Sequence, residues 1–227
     1  MSTIEILYID EHLVVVNKPS GLLVHRGWGT DRDVALFRVR DLLGAYVDTV
    51  HRLDRGTSGC LVFSRTKVCT PLLAKCFEEG RISKTYVALV RGHTAFDTQR
   101  IEYDLPRTED GPRVHAATDV RLLAKSPVDR CSLVEARPET GRLHQIRRHL
   151  RHLSHPLIGD VAHGDGRVNR HYRETCSLHR LALHAQRLNF DHPVTGERLD
   201  VVARVPDDLI QPLDLLGFIR ETYLPAK

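Results

Sequence analysis

The 227 residues, 41% hydrophobic and 27% charged with 15 Gly and 11 Pro, can bury a sizeable core and fit neither a disordered chain nor a fibrous repeat. Apolar runs such as that from Leu13 to Val16 fall far short of the about 20 residues of a membrane-spanning helix. The net charge of +4 is modest, but nine Arg against four acids lie between Arg137 and Arg180, with seven of the 14 His and no Lys, a surface of the kind that attracts phosphate. A solvated basic face is the alternative reading of that stretch. Five cysteines with no Cys-x-x-Cys pair match neither a disulfide framework nor a zinc site and read as reduced thiols. Glu5 stands where a secretory signal carries basic residues, so the expected location is the cytoplasm, with no membrane partner.

In chain order, strands are expected over residues 4–8 and 13–17, joined as a hairpin by the acidic turn Asp10-Glu11. The turn Asn17-Lys18-Pro19-Ser20-Gly21 ends the second strand. Val34, Phe37, Val39, Leu42 and Leu43 predict a helix over 33–44, with Asp33 as cap and Gly44 as stop. A strand over 49–53 leads into the turn formers Asp54 to Gly59 and a β-rich segment over 60–63. A helix over 67–79 and strands over 85–90, 118–123 and 132–136 follow. The helix over 144–153 has Ile146, His149, Leu150 and Leu153 on one face, while Arg147, Arg148, Arg151 and His152 point elsewhere. Strands over 181–190 and 199–203 flank the turn Pro193 to Gly196, and a last helix runs from 207 to about 219 despite Pro212. No linker or repeat divides the chain, so one domain over 1–227 is expected, of the α+β class, with a mixed, largely antiparallel sheet flanked by helices.

His51-Arg52-Leu53-Asp54-Arg55-Gly56-Thr57-Ser58-Gly59 carries the chemistry. An Asp between two Arg, exposed where a strand ends, can act as nucleophile or base. A turn Asp that caps the following N–H groups is the plain alternative. The segment resembles the catalytic motif of the RluA family of pseudouridine synthases, His-Arg-Leu-Asp followed by x-x-Thr-Ser-Gly. The resemblance extends to Asn17 through Gly21 with Val24-His25, Lys84-Thr85-Tyr86-Val87-Ala88, and Thr140 through Arg147. His155 through Asp160 and Leu183-His184-Ala185 complete it, in the family's order and over nearly the whole chain.

The resemblance implies an RNA-modifying isomerase in which Asp54 promotes cleavage of the N-glycosidic bond and the freed uracil rejoins ribose through C5. It implies that Tyr86 stacks on the target base, although a strand tyrosine half buried in a core is the other reading of that residue. Arg147 matches the arginine that pairs with the catalytic aspartate, and Arg52 the residue that fills the gap left by the flipped uridine. His51, Arg55, Thr57 and Leu183 are expected to contact RNA, as are Arg142, His144 and Gln145. No cofactor or metal is expected, because isomerisation consumes no water, energy carrier or redox equivalent, and His144, His149, His152 and His155 lack the His-Glu-x-x-His arrangement.

The chain begins directly with strands of the catalytic fold, so a separate N-terminal RNA-binding module is not expected. His163 through Arg170, with Arg148 through Pro156, resembles a branch of the family that modifies uridine 65 in the T-stem region of tRNA. Arg148, Arg151, Arg167 and Arg170 are then expected to grip phosphates of an RNA helix read by shape. The connection from Asp104 to Arg130 is shorter and poorer in Lys than expected for that branch. Other members of the family act on ribosomal RNA, and a non-catalytic RNA-binding protein or a hydrolase using Asp54 are the rival classes. No obligatory protein partner is evident.

Overall fold

The computed structural model describes residues 4–26, 30–106 and 111–224. The chain divides into two compact units, Met1–Lys84 with Ala185–Arg204, and Thr85–His184 with Val205–Lys227.

The first unit opens with β1 (Glu5–Ile9), β2 (Leu13–Lys18), α1 (Ala35–Leu43), β3 (Asp48–Thr49), β4 (Ser58–Ser64) and α2 (Cys69–Glu78). β5 (Ser83–Arg91) leads into the second unit, which continues with β6 (Thr98–Glu102), β7 (Leu105–Pro106), β8 (Arg113–Val114), β9 (Ala117–Lys125) and β10 (Cys131–Pro138). There follow α3 (Gln145–His152) and α4 (Gly166–Cys176). β11 (Leu183–Asp191) returns to the first unit, β12 (Arg198–Val202) completes it, and α5 (Asp207–Leu215) with a short 3-10 turn (Arg220–Thr222) ends the second.

In the first unit the ladders β1–β2, β2–β4, β3–β4 and β11–β12 are antiparallel. Every residue of β4 is buried, as are Leu13 to Val16 of β2, which explains why both read as continuous apolar runs without alternation. Leu13, Val15, Cys60 and Val62 pack with Cys69, Leu73 and Cys76 of α2 and with Leu188 and Phe190 of β11. Each buried Leu, Val or Phe among them contributes about 1.5–3 kcal/mol relative to exposure. α1 starts at Val34 without a side-chain cap, because Asp33, expected to cap it, instead holds Arg38 through two bonds of 2.6 Å.

In the second unit β5 pairs β10, β10 pairs β9 and β9 pairs β6, all antiparallel. Period-two alternation sends Val87 and Leu89 to one face, against Tyr172 and Cys176 of α4 and Leu209, Ile210 and Leu213 of α5. It sends Ala88 and Val90 to the other, against Ile146 and Leu150 of α3.

The mixed, largely antiparallel sheet with flanking helices is as expected, and several local expectations are corrected. The strand read over 49–53 is only Asp48–Thr49, because the chain then turns into the loop that carries Asp54. The last helix stops at Leu215 rather than near 219. α4 was not anticipated, nor were β6, β7 and β8. Arg147 does not point outward with Arg151 and His152 but is buried. Part of the Asp104–Arg130 connection, residues 107–110, lies outside the described residues, as do residues 1–3 at the start of the chain.

Candidate active site

The loop that carries Asp54 lies wholly in the first unit. Thr57 donates its N–H to the Asp54 carbonyl at 3.1 Å, closing a four-residue turn, and leaves the Asp54 side chain half-buried between exposed Arg52 and exposed Arg55. The turn is fastened to the Asn17–Gly21 motif. Lys18 is fully buried, and its Nζ donates to the carbonyls of Pro19 at 2.9 Å, Leu22 at 2.7 Å and Arg55 at 3.3 Å. Ser20 Oγ donates to Gly56 O at 2.7 Å, Gly21 N–H to Arg55 O at 2.8 Å, and Arg55 Nε back to Gly21 O at 3.0 Å. A buried ammonium needs such a set of acceptors, and here they fix the backbone beside the carboxylate. Thr57 is buried.

His51 holds the other end of the loop. Its Nε2 accepts the Val62 N–H at 3.0 Å and its ring stacks on Phe77 at 4.2 Å. The ring proton therefore resides on Nδ1. Burial, reinforced by the charge of Lys84, pushes the His51 imidazole down to about 3. Burial likewise lowers the Lys84 ammonium to about 8.

In the second unit, Tyr86 is half-buried on β5, opposite Ala136 of β10. Arg147 is buried on α3 and forms a two-point pair with Asp160, Nε to Oδ2 and Nη2 to Oδ1, both at 2.7 Å. Asp160 is held below the usual carboxylate range by Arg147 and the His163 N–H, against a burial effect that is larger than either alone. His144 takes the left-handed conformation (φ 53°) just before α3, and its Nδ1 lies 2.9 Å from His163 Nε2. Burial lowers the His163 imidazole.

The expected RNA-contacting residues fall into two groups. Arg151, Arg167 and Arg170 are exposed on α3 and α4, with Arg148 half-buried beside them. Gln145 and Leu183 are buried, and Gln145 spends its amide on Ala117 O at 2.8 Å and Thr118 Oγ1 at 3.0 Å, while its Oε1 accepts from Thr140 at 2.6 Å. Arg142 donates to His115 O at 3.0 Å.

The four histidines considered as ligands have other partners. His149 bonds Thr118 and Tyr103 O, His152 stacks on Tyr103, and His155 bonds Arg91 O. Among the described residues no three His, Cys, Asp or Glu side chains gather as a metal centre requires. Among them, too, no helix is long and apolar enough to cross a membrane.

Sequence reasoning assigned no role to Lys18, Asp160 or Asn169. All three stand inside motifs already noted, which was the available signal, and Asn169 also falls at the buried spacing of α4 with Tyr172 and Cys176.

A family model described as RNA pseudouridylate synthase matches residues 12–152. Relatives named tRNA pseudouridine synthase C include one from Salmonella typhimurium, 43% identical over 95% of this chain and 90% of its own length. One from Yersinia pestis is 42% identical over 88% of this chain and 86% of its own. One from Pectobacterium carotovorum is 44% identical over 88% of this chain, which spans 59% of that longer protein. Among solved structures, Human RNA Pseudouridylate Synthase Domain Containing 4 superposes with a TM-score of 0.75 at 27% identity, over 94% of this chain and 93% of that one. These matches and the intact Asp54 motif lead to one conclusion: the chain belongs to the RNA pseudouridylate synthase family, as an isomerase of the RluA type that acts on RNA.

Proposed function

We propose that this synthase isomerises uridine 65 in the T-stem region of tRNA. The observation that carries the reading is the set of relatives named tRNA pseudouridine synthase C at 42–44% identity, two of which this chain spans almost from end to end. Asp54 supplies the carboxylate that promotes cleavage of the N-glycosidic bond. Tyr86 stacks on the freed uracil, Arg147 pairs with the carboxylate and aims it, and Arg52 enters the gap left by the flipped nucleotide. His51 and Thr57 shape the loop, and Arg55 stands at the RNA side of it.

Arg148, Arg151, Arg167 and Arg170 grip phosphates, with Arg142 and His144 nearby in sequence, while Gln145 and Leu183 support that surface from within. No redox equivalent or energy carrier is consumed, so the reaction calls for no cofactor, and a tRNA substrate places the work in the cytoplasm. The test is to incubate the protein with tRNA and ribosomal RNA from cells that lack the enzyme and to map new pseudouridines chemically. Modification at uridine 65 is the expected result. New pseudouridine confined to ribosomal RNA would overturn the tRNA assignment, and released uracil would overturn isomerisation.

A further inference from the structure

The buried pair of Arg147 and Asp160 is more fully organised than packing requires. Arg147 is 9% exposed and Asp160 1%. Beyond its two bonds to the guanidinium, Asp160 Oδ1 accepts the N–H groups of Ala162 at 3.0 Å and His163 at 2.9 Å. The backbone that carries the carboxylate is itself braced from α4: Asn169 Nδ2 donates to Asp160 O at 2.9 Å, and Asn169 Oδ1 accepts the Gly159 N–H at 2.8 Å. Gly159, at φ 79°, lets this segment lie directly against the backbone of Arg180, where a Cβ would come within 2.7 Å of the carbonyl carbon. A buried ion pair of this kind contributes little net stability over an apolar replacement, so stability alone does not account for it.

The geometry of the fork does. A guanidinium carries five N–H groups in fixed directions along two usable edges. Asp160 engages the Nε–Nη2 edge, so a second carboxylate that pairs with Arg147 in two-point fashion does so through the terminal Nη1–Nη2 edge. We propose that Asp160 is a positioning residue that decides which edge of Arg147 serves the reaction, and that Asn169, on the basic helix α4, holds Asp160 for that task. The proposal rests on the role given to Arg147 under Proposed function.

The experiment uses the full chain and transcribed tRNA. Asp160→Asn keeps the volume and one acceptor but loses the two-point grip, so kcat should fall about 100-fold, as for a catalytic group displaced by about 1 Å, while KM stays close to that of the parent. In Asp160→Ala, added formate should restore kcat about tenfold and formamide should not, because only the anion rebuilds both bonds. Asn169→Ala, which touches the brace alone, should lower kcat about tenfold at unchanged KM. If the Asp160 variants do not fold, the decision passes to Asn169→Ala, and an unchanged kcat there overturns the proposal. A folded Asp160→Asn with the parent kcat also overturns it. Arg147→Ala separates the two layers: full activity in that variant refutes the role of Arg147 itself, whereas an inactive Arg147→Ala beside a fully active Asp160→Asn refutes only the brace.

Discussion

Replacing Gly59 by alanine puts a methyl group where the first unit has no room for one. Gly59 has φ +113°, and a Cβ built on it lies 2.7 Å from the carbonyl carbon and 2.8 Å from the nitrogen of Ala185, closer still to the oxygen. Non-bonded carbons prefer about 3.5–4.0 Å, so the overlap is roughly 1 Å against backbone rather than against a side chain that could swing away. Backbone strain costs about 1–3 kcal/mol and overpacking about 1–3 kcal/mol more, for a total near 4 kcal/mol.

With a slope of about 2.5 kcal/mol per molar urea, the unfolding midpoint should drop by about 1.5 M. Gly21 is the control: its φ is +83°, and a Cβ there meets nothing within 4 Å, so Gly21→Ala carries the strain without the collision. Its midpoint should fall by about 0.5 M. Because β4 begins at the end of the Asp54 loop, Gly59→Ala should also lose activity beyond its loss of folded protein at 25 °C. Equal shifts in the two variants, or a Gly59→Ala shift below about 0.5 M, would refute the steric argument.

Two further outcomes follow from the site. His51 binds its proton only near pH 3 when folded but near 6.5 when unfolded, so the unfolded state takes up more protons as pH falls through that window and stability declines below about 6.5. The loss from this residue amounts to about 3 kcal/mol by pH 4, and His51→Gln, which keeps an acceptor for Val62, should flatten the stability curve between pH 6 and 4; superimposable curves would contradict the assignment. Replacing Arg148 and Arg151 together by alanine should lower the slope of log affinity against log salt by about 2 for tRNA, and an unchanged slope would remove both from the RNA face.

Local patterns carried much of the fold. The apolar runs of β2 and β4, the left-handed Gly44 that closes α1 and the turn-rich stretch before Ser58 could all be read from neighbouring residues. What escaped depends on partners distant in sequence. Arg147 looks like one more basic residue on a basic helix, and only the fold reveals that Asp160, 13 positions on, neutralises it inside the protein. Asp33 has the composition of a cap, yet an arginine one turn later wins its carboxylate.

α4 was hidden because its charged outer face dominates the sequence. Its buried Asn169, Tyr172 and Cys176, and the Asp165 side chain that accepts from Arg167 N–H at 2.9 Å, did follow helical rules. β6 exposes four of its five residues and buries only Ile101, which leaves almost no periodic signal.

Pseudouridine formation and tRNA binding by Asp54→Asn, measured side by side with the parent protein, test whether this carboxylate is the reacting group. No detectable product is expected, with an affinity unchanged within about threefold, since the amide keeps the shape of the loop and loses only the reacting carboxylate. Product formed at the parent rate would contradict it.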